Sequence, residues 1–414
     1  AKDSDLSDDK KALFIAEGRA MRAWYYLVLW KTWGNIPFYE ENLTSLPYLA
    51  DQLTVDQVYE KVVVDLESVL DSEVLPMKQP DEWAGRMTQA AASMIYADYV
   101  MYQKDQSRYG KALGYMKAII NSHKYDLVKN YNDLYALDKE WNEEIIFDVN
   151  YIAKGGKRTW GDANFTGGTV YPEMIGIDGL TIKCAEGHTP EFTSGWGFGS
   201  VSKEVYDAFE DNDRRRDVAI LNLDKYARAK FAEGDTVTYG GRYQNTGYFL
   251  RKYLPRPGDT EGSVGDAGLN HDENLHLYRY AETLLNAAEL ALATGDGLAQ
   301  DYFDLVRERA GVASIPVTMD NIINERRLEF VGEGKRYFDL VRSGKAATVL
   351  KAGAGVLLRT KRTYNFDKNQ WEGENTWGGR AIPERVDWTE NKKYIPIPQS
   401  EIEAAQGSIT QNPY

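Results

Sequence analysis

Residues Met319–Gly344 read MDNIINERRLEFVGEGKRYFDLVRSG, and the fold is decided here. Ile322, Ile323, Phe330, Tyr337 and Val341 recur at helical spacing, while Glu325, Glu329 and Glu333 stand at i, i+4 and i+8 on another face. Three stacked carboxylates repel one another, so a helix carries such a column only with basic groups alongside. Arg326, Arg327, Arg336 and Arg342 are close enough in sequence to supply them. The stretch therefore reads as a salt-bridged structural helix, because a catalytic carboxylate pair usually draws on separated segments.

Working outward, LYRYAETLLNAAELAL leads into QDYFDLVRERAGV and then into the Met319 helix, which makes a helix pair with a third element against it. Upstream, Gly85-Arg86 opens an alanine-rich helix from Met87 to Tyr102, partnered by Tyr109–Asn121. Gly85 stands 67 residues after Gly18-Arg19, close to twice a tetratricopeptide period. The first helix runs to Trp33 and ends at Gly34 and Pro37. It carries two stripes, Phe14, Met21, Tyr25 and Val28 on one and Ala16, Ala20, Ala23, Leu27 and Trp30 on the other, so it is expected to pack on two sides. Thr54 with Gln57 makes a capping box for a helix through about Leu70. The fold class that follows is mainly α, a tetratricopeptide-like superhelix of helix pairs carrying a loop-rich region with a few short strands.

That loop-rich region begins with the strand EEIIFDVNY and continues through GGKRTWGDANFTGGTVYP, EFTSGWGFGS and TYGGRYQNTGYF; a second insert, NFDKNQWEGENTWGGR, follows the signature helix. Glycine beside an aromatic ring lets the ring stand clear of the backbone, and nearby Asn, Asp, Gln and Arg can bond sugar hydroxyls. A flat ring stacks on the apolar C–H face of a sugar. Trp160, Trp196, Tyr239, Tyr243, Trp371 and Trp377 are the candidate ligand-binding residues on this composition. The bland alternative is that such rings pin long loops onto the helices.

ERRLEF followed by EGKRYFDLVRSG resembles the C-terminal signature of the SusD/RagB family of surface nutrient-binding lipoproteins. Further blocks match in order: AEGRAMRAWYYLVLWKTWGNIPF, GRMTQAAASMIYADYVMY, RYAETLLNAAELA, FDLVRERAGV, YIPIPQSEI and a late QNP. The resemblance implies a glycan-binding protein on the outer face of the outer membrane, partnered with a SusC-like TonB-dependent transporter over which it acts as a lid. It further implies a signal peptide and a lipid-bearing N-terminal cysteine ahead of the present chain, in which the first block begins at Ala16. The family's binding positions vary, so it transfers no site residue. Two alternatives stay open: a polysaccharide-active glycoside hydrolase, and a peptide-binding relative of RagB.

Composition bounds these readings. The 414 residues carry 43% hydrophobic and 27% charged side chains, with aromatics at 12%, including 28 Tyr and 10 Trp, more than core packing alone requires. A formal net charge of −14 without a basic aromatic patch excludes nucleic acid as a partner. Arg214, Arg215 and Arg216 follow Glu210, Asp211 and Asp213 and read as a solvated or locally paired cluster. The one cysteine, Cys184, allows no intrachain disulfide framework or thiolate metal cluster. AKDSDLSDDK lacks the turn glycine and closing glutamate of a calcium loop and reads as an acidic first helical turn. His271 and His276 in HDENLH are five apart, off the spacing of a zinc helix; GWGFGS is no dinucleotide fingerprint, and no GxSxG elbow occurs. No catalytic residue, metal or cofactor is expected. The organisation is a helical scaffold over 1–140, a loop- and hairpin-rich ligand-binding region over 141–270, scaffold with the signature over 271–345, and a loop-rich closing region over 346–414.

Overall fold

The computed structural model describes residues 5–162, 167–183, 189–230, 236–240, 245–351, 362–365, 368, 370–372 and 386–412, with backbone alone at 228–230, 362–365 and 370–372. Helices come first and last. Asp8–Trp33 starts with Asp8 and Asp9 in its first turn, where the helix dipole favours them, and stops at Gly34. Only glycine serves there, since φ is +74° and a Cβ would lie 2.9 Å from the Tyr394 ring. Val55–Asp71 is capped as its sequence requires: Thr54 Oγ1 accepts from the Gln57 N–H at 3.3 Å and Gln57 Oε1 accepts from the Thr54 N–H at 3.0 Å.

Gln89–Gln103 is buried on nearly every side, with Ala90, Ala91, Ala92 and Ala97 letting neighbours approach, and it packs against Asp8–Trp33, Val55–Asp71 and Tyr109–Asn121. Tyr109–Asn121 in turn packs on Tyr280–Thr294, which pairs with Ala299–Ala310 and meets Met319–Glu329. One hydrophobic core thus runs from Ala16 to Phe330, joining helices about 300 residues apart in sequence. The antiparallel pairing of Ile145–Val149 with Leu275–Arg279 closes the two halves together.

Two readings of the first helix are corrected. Ala16, Ala20, Ala23, Leu27 and Trp30 are buried as their stripe implies, but Phe14, Tyr25 and Val28 stay at the surface, Tyr25 at 59% exposure. Of the Phe14 stripe only Met21, half-buried, packs on the core, so it is mainly the alanine-rich stripe that the helix buries where it meets Val55–Asp71 and Gln89–Gln103. The Gly-Arg repetition is not structural either, because Gly18 lies inside the first helix while Gly85 (φ +92°) precedes a helix that Thr88 caps.

The carboxylate column of the signature is salt-bridged, though not by the arginines beside it, two of which, Arg326 and Arg342, pair with Asp339 of the same stretch instead. Met319–Glu329 ends at Phe330, and the chain turns through Gly332 and Gly334, so Glu333 leaves the column. Arg326 pairs with Asp339 (2.9 Å) and Glu282 (2.8 Å), Arg327 with Glu204, and Arg342 with Asp339 and Glu289. Arg336 donates to the Ile323 carbonyl at 3.4 Å. The glutamates instead take cations from distant segments. Glu329, with no exposed surface, accepts from Arg309 at 2.6 Å, Arg215 at 2.9 Å and Arg279 at 3.0 Å. Glu325 accepts from Arg215 and Arg307, both at 2.6 Å, and Glu333 from Lys252 at 2.5 Å and Arg279 at 2.9 Å. With Glu144 and Asp213, five buried carboxylates face five cations. Arg215 is therefore locally paired, to Asp213 at 2.8 Å, but not solvated.

This network makes an acid-sensitive joint. Burial alone would raise the Glu333 carboxyl, yet Arg279 and Lys252 hold it down at about 2 against an ordinary 4.5. A depressed carboxylate lends stability that is complete above its unfolded pKa and lost as pH falls toward the folded one. The thermal midpoint is therefore expected to drop between about pH 5 and pH 2, with about 3 kcal/mol lost through this group. A midpoint flat over that interval would contradict the assignment.

Candidate functional site

A ring that is to meet a ligand must leave the core while its backbone stays fixed. Trp160 does so at the tip of a turn in which Thr159 and Asp162 bond each other's backbone, at 3.3 and 3.1 Å, leaving the residue 71% exposed. The segment behind it is stitched to residues 262–266: Gly155 N–H donates to the Gly262 carbonyl, Val264 and Gly265 N–H both donate to Gly156, and Asp266 N–H donates to Arg158, all at 2.9 Å. The Asp266 carboxylate then accepts from the Trp160 N–H at 2.9 Å.

Trp196 and Phe198 hang from a different support, the short helix Tyr171–Ile175. Trp196 N–H donates to the Glu173 carbonyl at 2.8 Å, Gly197 N–H to Gly176 at 2.6 Å, and Phe198 N–H to Met174 at 2.9 Å. Glycine permits this docking: a Cβ on Gly195 would lie 2.5 Å from the Glu173 carbonyl oxygen. The two supports bring Trp160 and Trp196 to 5.4 Å between centroids with planes inclined at 33°, and Phe198 stands edge-on to Trp196 at 6.5 Å and 85°. Phe198 is 55% exposed, Met174 and Val264 beside these segments are exposed, and Asp266 is an exposed carboxylate at the edge. The arrangement is an aromatic platform with polar groups at its border, suited to the apolar face of a sugar ring.

Of the six rings singled out in the sequence, Trp160 and Trp196 come together here. Tyr239 does not: it is buried in the core with Val237 and Phe249, because the strand Thr236–Tyr239 turns Val237 and Tyr239 inward, so it presents no face to a ligand. Tyr243 and Trp377 lie outside the described residues, as does the side chain of Trp371, whose backbone pairs with Tyr364. Phe198 and Asp266 were missed, although Phe198 follows Trp196 at the two-residue spacing that places side chains on one side of an extended chain.

HDENLH serves structure. His276 is buried, its Nδ1 at 2.9 Å from Asp148 and its Nε2 at 2.7 Å from the Leu134 carbonyl. Both nitrogens face acceptors, which fits an imidazolium; burial would lower its pKa, but Asp148 holds it above the usual value. Nearby, burial pushes Glu140 up to about 7. Among the described residues no group of three or more His, Cys, Asp or Glu is placed to hold a metal ion. An open groove of about 770 Å³ lies apart from these rings, between Asp8–Trp33 and Val55–Asp71, but its Arg19, Arg22, Lys61, Asp65 and Glu40 already pair with one another. No helix of the described residues is long and apolar enough to cross a membrane.

Comparison with known proteins gives a consistent picture. The model of the SusD family matches residues 143–414. A SusD-like protein of Bacteroides ovatus is 24% identical over 389 residues, which cover 90% of this chain and 64% of that protein. The starch-binding protein SusD of Bacteroides thetaiotaomicron is 26% identical over 371 residues, 80% of this chain and 63% of that protein. The chain thus spans about two thirds of the length of the curated relatives it matches. Among solved structures, surface glycan-binding protein A from Bacteroides thetaiotaomicron in complex with laminarihexaose superposes with a TM-score of 0.82 at 41% identity, covering 99% of this chain and 80% of that one. A laminarin-binding SusD-like protein superposes with a TM-score of 0.79 at 29% identity, covering 100% of this chain and 81% of that one.

Proposed function

Because the chain belongs to the SusD family, we propose that it captures a glycan at the cell surface and hands it on without cleaving it. The observation that carries this reading is the inclined ring pair of exposed Trp160 and half-buried Trp196, held by two separately braced segments. A glucan of the laminarin type is the ligand we favour, since the solved relative at 41% identity is a surface glycan-binding protein in complex with laminarihexaose and the one at 29% is a laminarin-binding SusD-like protein. Stacking supplies affinity, and Asp266 at the border accepts from a sugar hydroxyl. The family implies anchorage at the outer face of the outer membrane and docking on a SusC-like TonB-dependent transporter, both of which belong to this proposal.

Binding and turnover are separated in one comparison. Laminarihexaose titrated calorimetrically is expected to give saturable binding, and laminarin incubated with the protein is expected to release no new reducing ends. Reducing ends accumulating at a steady rate would replace the binder with a hydrolase. Absence of binding to laminarihexaose, with binding to another glycan or to a peptide on an array, would keep the capture role and discard the ligand class.

A further inference from the structure

Asn270 lies beneath the platform with no exposed surface, and three glycines crowd it. A Cβ on Gly156 or Gly167 would lie 2.5 or 3.0 Å from its Oδ1, and one on Gly168 would lie 2.2 Å from its carbonyl carbon. Inside that cradle the amide is fully used: Nδ2 donates to the Arg158 carbonyl at 3.0 Å and to the Asp266 carbonyl at 2.8 Å, while Oδ1 accepts from the Arg158 N–H at 3.3 Å. Arg158 and Asp266 are the two residues that flank and bond the Trp160 turn. On its other side the next residue, His271, exchanges both backbone hydrogen bonds with Thr169 at 2.9 Å, and Thr169 Oγ1 accepts from the N–H of Tyr171, the first residue of the helix that carries Trp196.

The geometry points to Asn270 as the positioning residue of the platform, the point at which the Trp160 turn and the Trp196 support are referred to one another. It touches neither ring. It sets their inclination by fixing the backbone of 158 and 266 relative to the 169–171 segment. This inference rests on the platform being the ligand site, and its test keeps the two apart. The glycines around it acquire a reason different from freeing aromatic side chains: Gly156 and Gly167 make room for its buried amide and Gly168 for its backbone.

Two neighbouring indoles couple their transitions and give a paired circular-dichroism signal that depends on their mutual angle, and the wild type minus Trp196→Phe difference isolates it for this pair. Asn270→Ala is expected to abolish that difference signal and weaken laminarihexaose binding about tenfold, the scale of one lost buried hydrogen-bonded group. Asp266→Ala, at an exposed position, removes the carboxylate that accepts from the Trp160 N–H and is expected to reduce the paired signal by a smaller amount, a readout independent of the carboxylate's own contact with the sugar. If both variants keep the paired signal, or lose affinity with the signal unchanged, the positioning role is overturned. If the signal collapses while laminarihexaose affinity holds, the positioning role stands and the platform ceases to be the ligand site.

Discussion

Glu329→Gln is expected to lower the free energy of unfolding by about 3–5 kcal/mol, the cost of removing one partner from a buried ionic cluster. The side chain has no exposed surface and faces Arg215, Arg279 and Arg309 at 2.6–3.0 Å. Burial alone would raise its pKa, but Arg309, Arg279 and Arg215 hold it well below the usual carboxylate range. An amide keeps one acceptor but turns an N–H₂ either toward Arg215 or toward Arg279 and Arg309, which bond opposite oxygens of the carboxylate, and it leaves one positive charge in excess where water does not reach. Because these cations come from the 213–215 turn, the Leu275–Arg279 strand and the Ala299–Ala310 helix, the damage falls on the joint between loop region and scaffold. Guanidinium unfolding should show a lower midpoint with unchanged slope. By contrast, Asp207→Asn, which breaks an exposed pair with Lys203 within one helical turn, should change stability by no more than about 0.5 kcal/mol. Equal midpoints for Glu329→Gln and wild type would mean that the network contributes nothing to holding the halves together.

The same residues mark what could be read from the chain in advance. The Thr54 capping box and the strand at Ile145 depend on neighbours within a few positions, and each is where its local pattern puts it, whereas the helical spacing of the signature holds only as far as Glu329. The charge of the signature was legible too, but its partners were not. Glu329 meets Arg215 across 114 residues, and spacing along one helix carries no information about what a folded chain brings from that far.

The rings divide on a subtler point. Tyr239 and Trp196 both sit beside glycine, yet one is buried and the other lies in the platform. What separates them is the residue at alternate positions. Along Thr236–Tyr239 the alternates are threonines, which turn outward and leave Val237 and Tyr239 to the core. From 194 to 198 the alternates are Gly195 and Gly197, which pack inward against the Tyr171–Ile175 helix and leave Trp196 and Phe198 on the far side. An extended segment has two faces, and the small residues choose which one the core receives. Glycine beside a ring was therefore a weaker signal than glycine alternating with rings.

That alternation gives the second large effect. Trp196→Ala is expected to weaken laminarihexaose binding by about thirtyfold or more, on the order of 2 kcal/mol, as truncation of a central aromatic anchor does. Trp196 is the ring both others touch, Trp160 at 5.4 Å and Phe198 at 6.5 Å, so its loss removes a stacking surface and the support of a second one. Trp160→Ala removes a ring 71% exposed that supports less, and a smaller loss of affinity follows. Stability should barely move in either case, because among the described residues neither ring belongs to a hydrophobic cluster of the core. Tyr239→Leu should behave in the opposite sense, costing stability through its place in the core while leaving affinity for the glycan at the wild-type value. The discriminating result is the pairing: a Trp196→Ala protein that unfolds at the wild-type midpoint and still binds laminarihexaose as the wild type does would remove the aromatic platform from the mechanism, whatever ligand the chain carries.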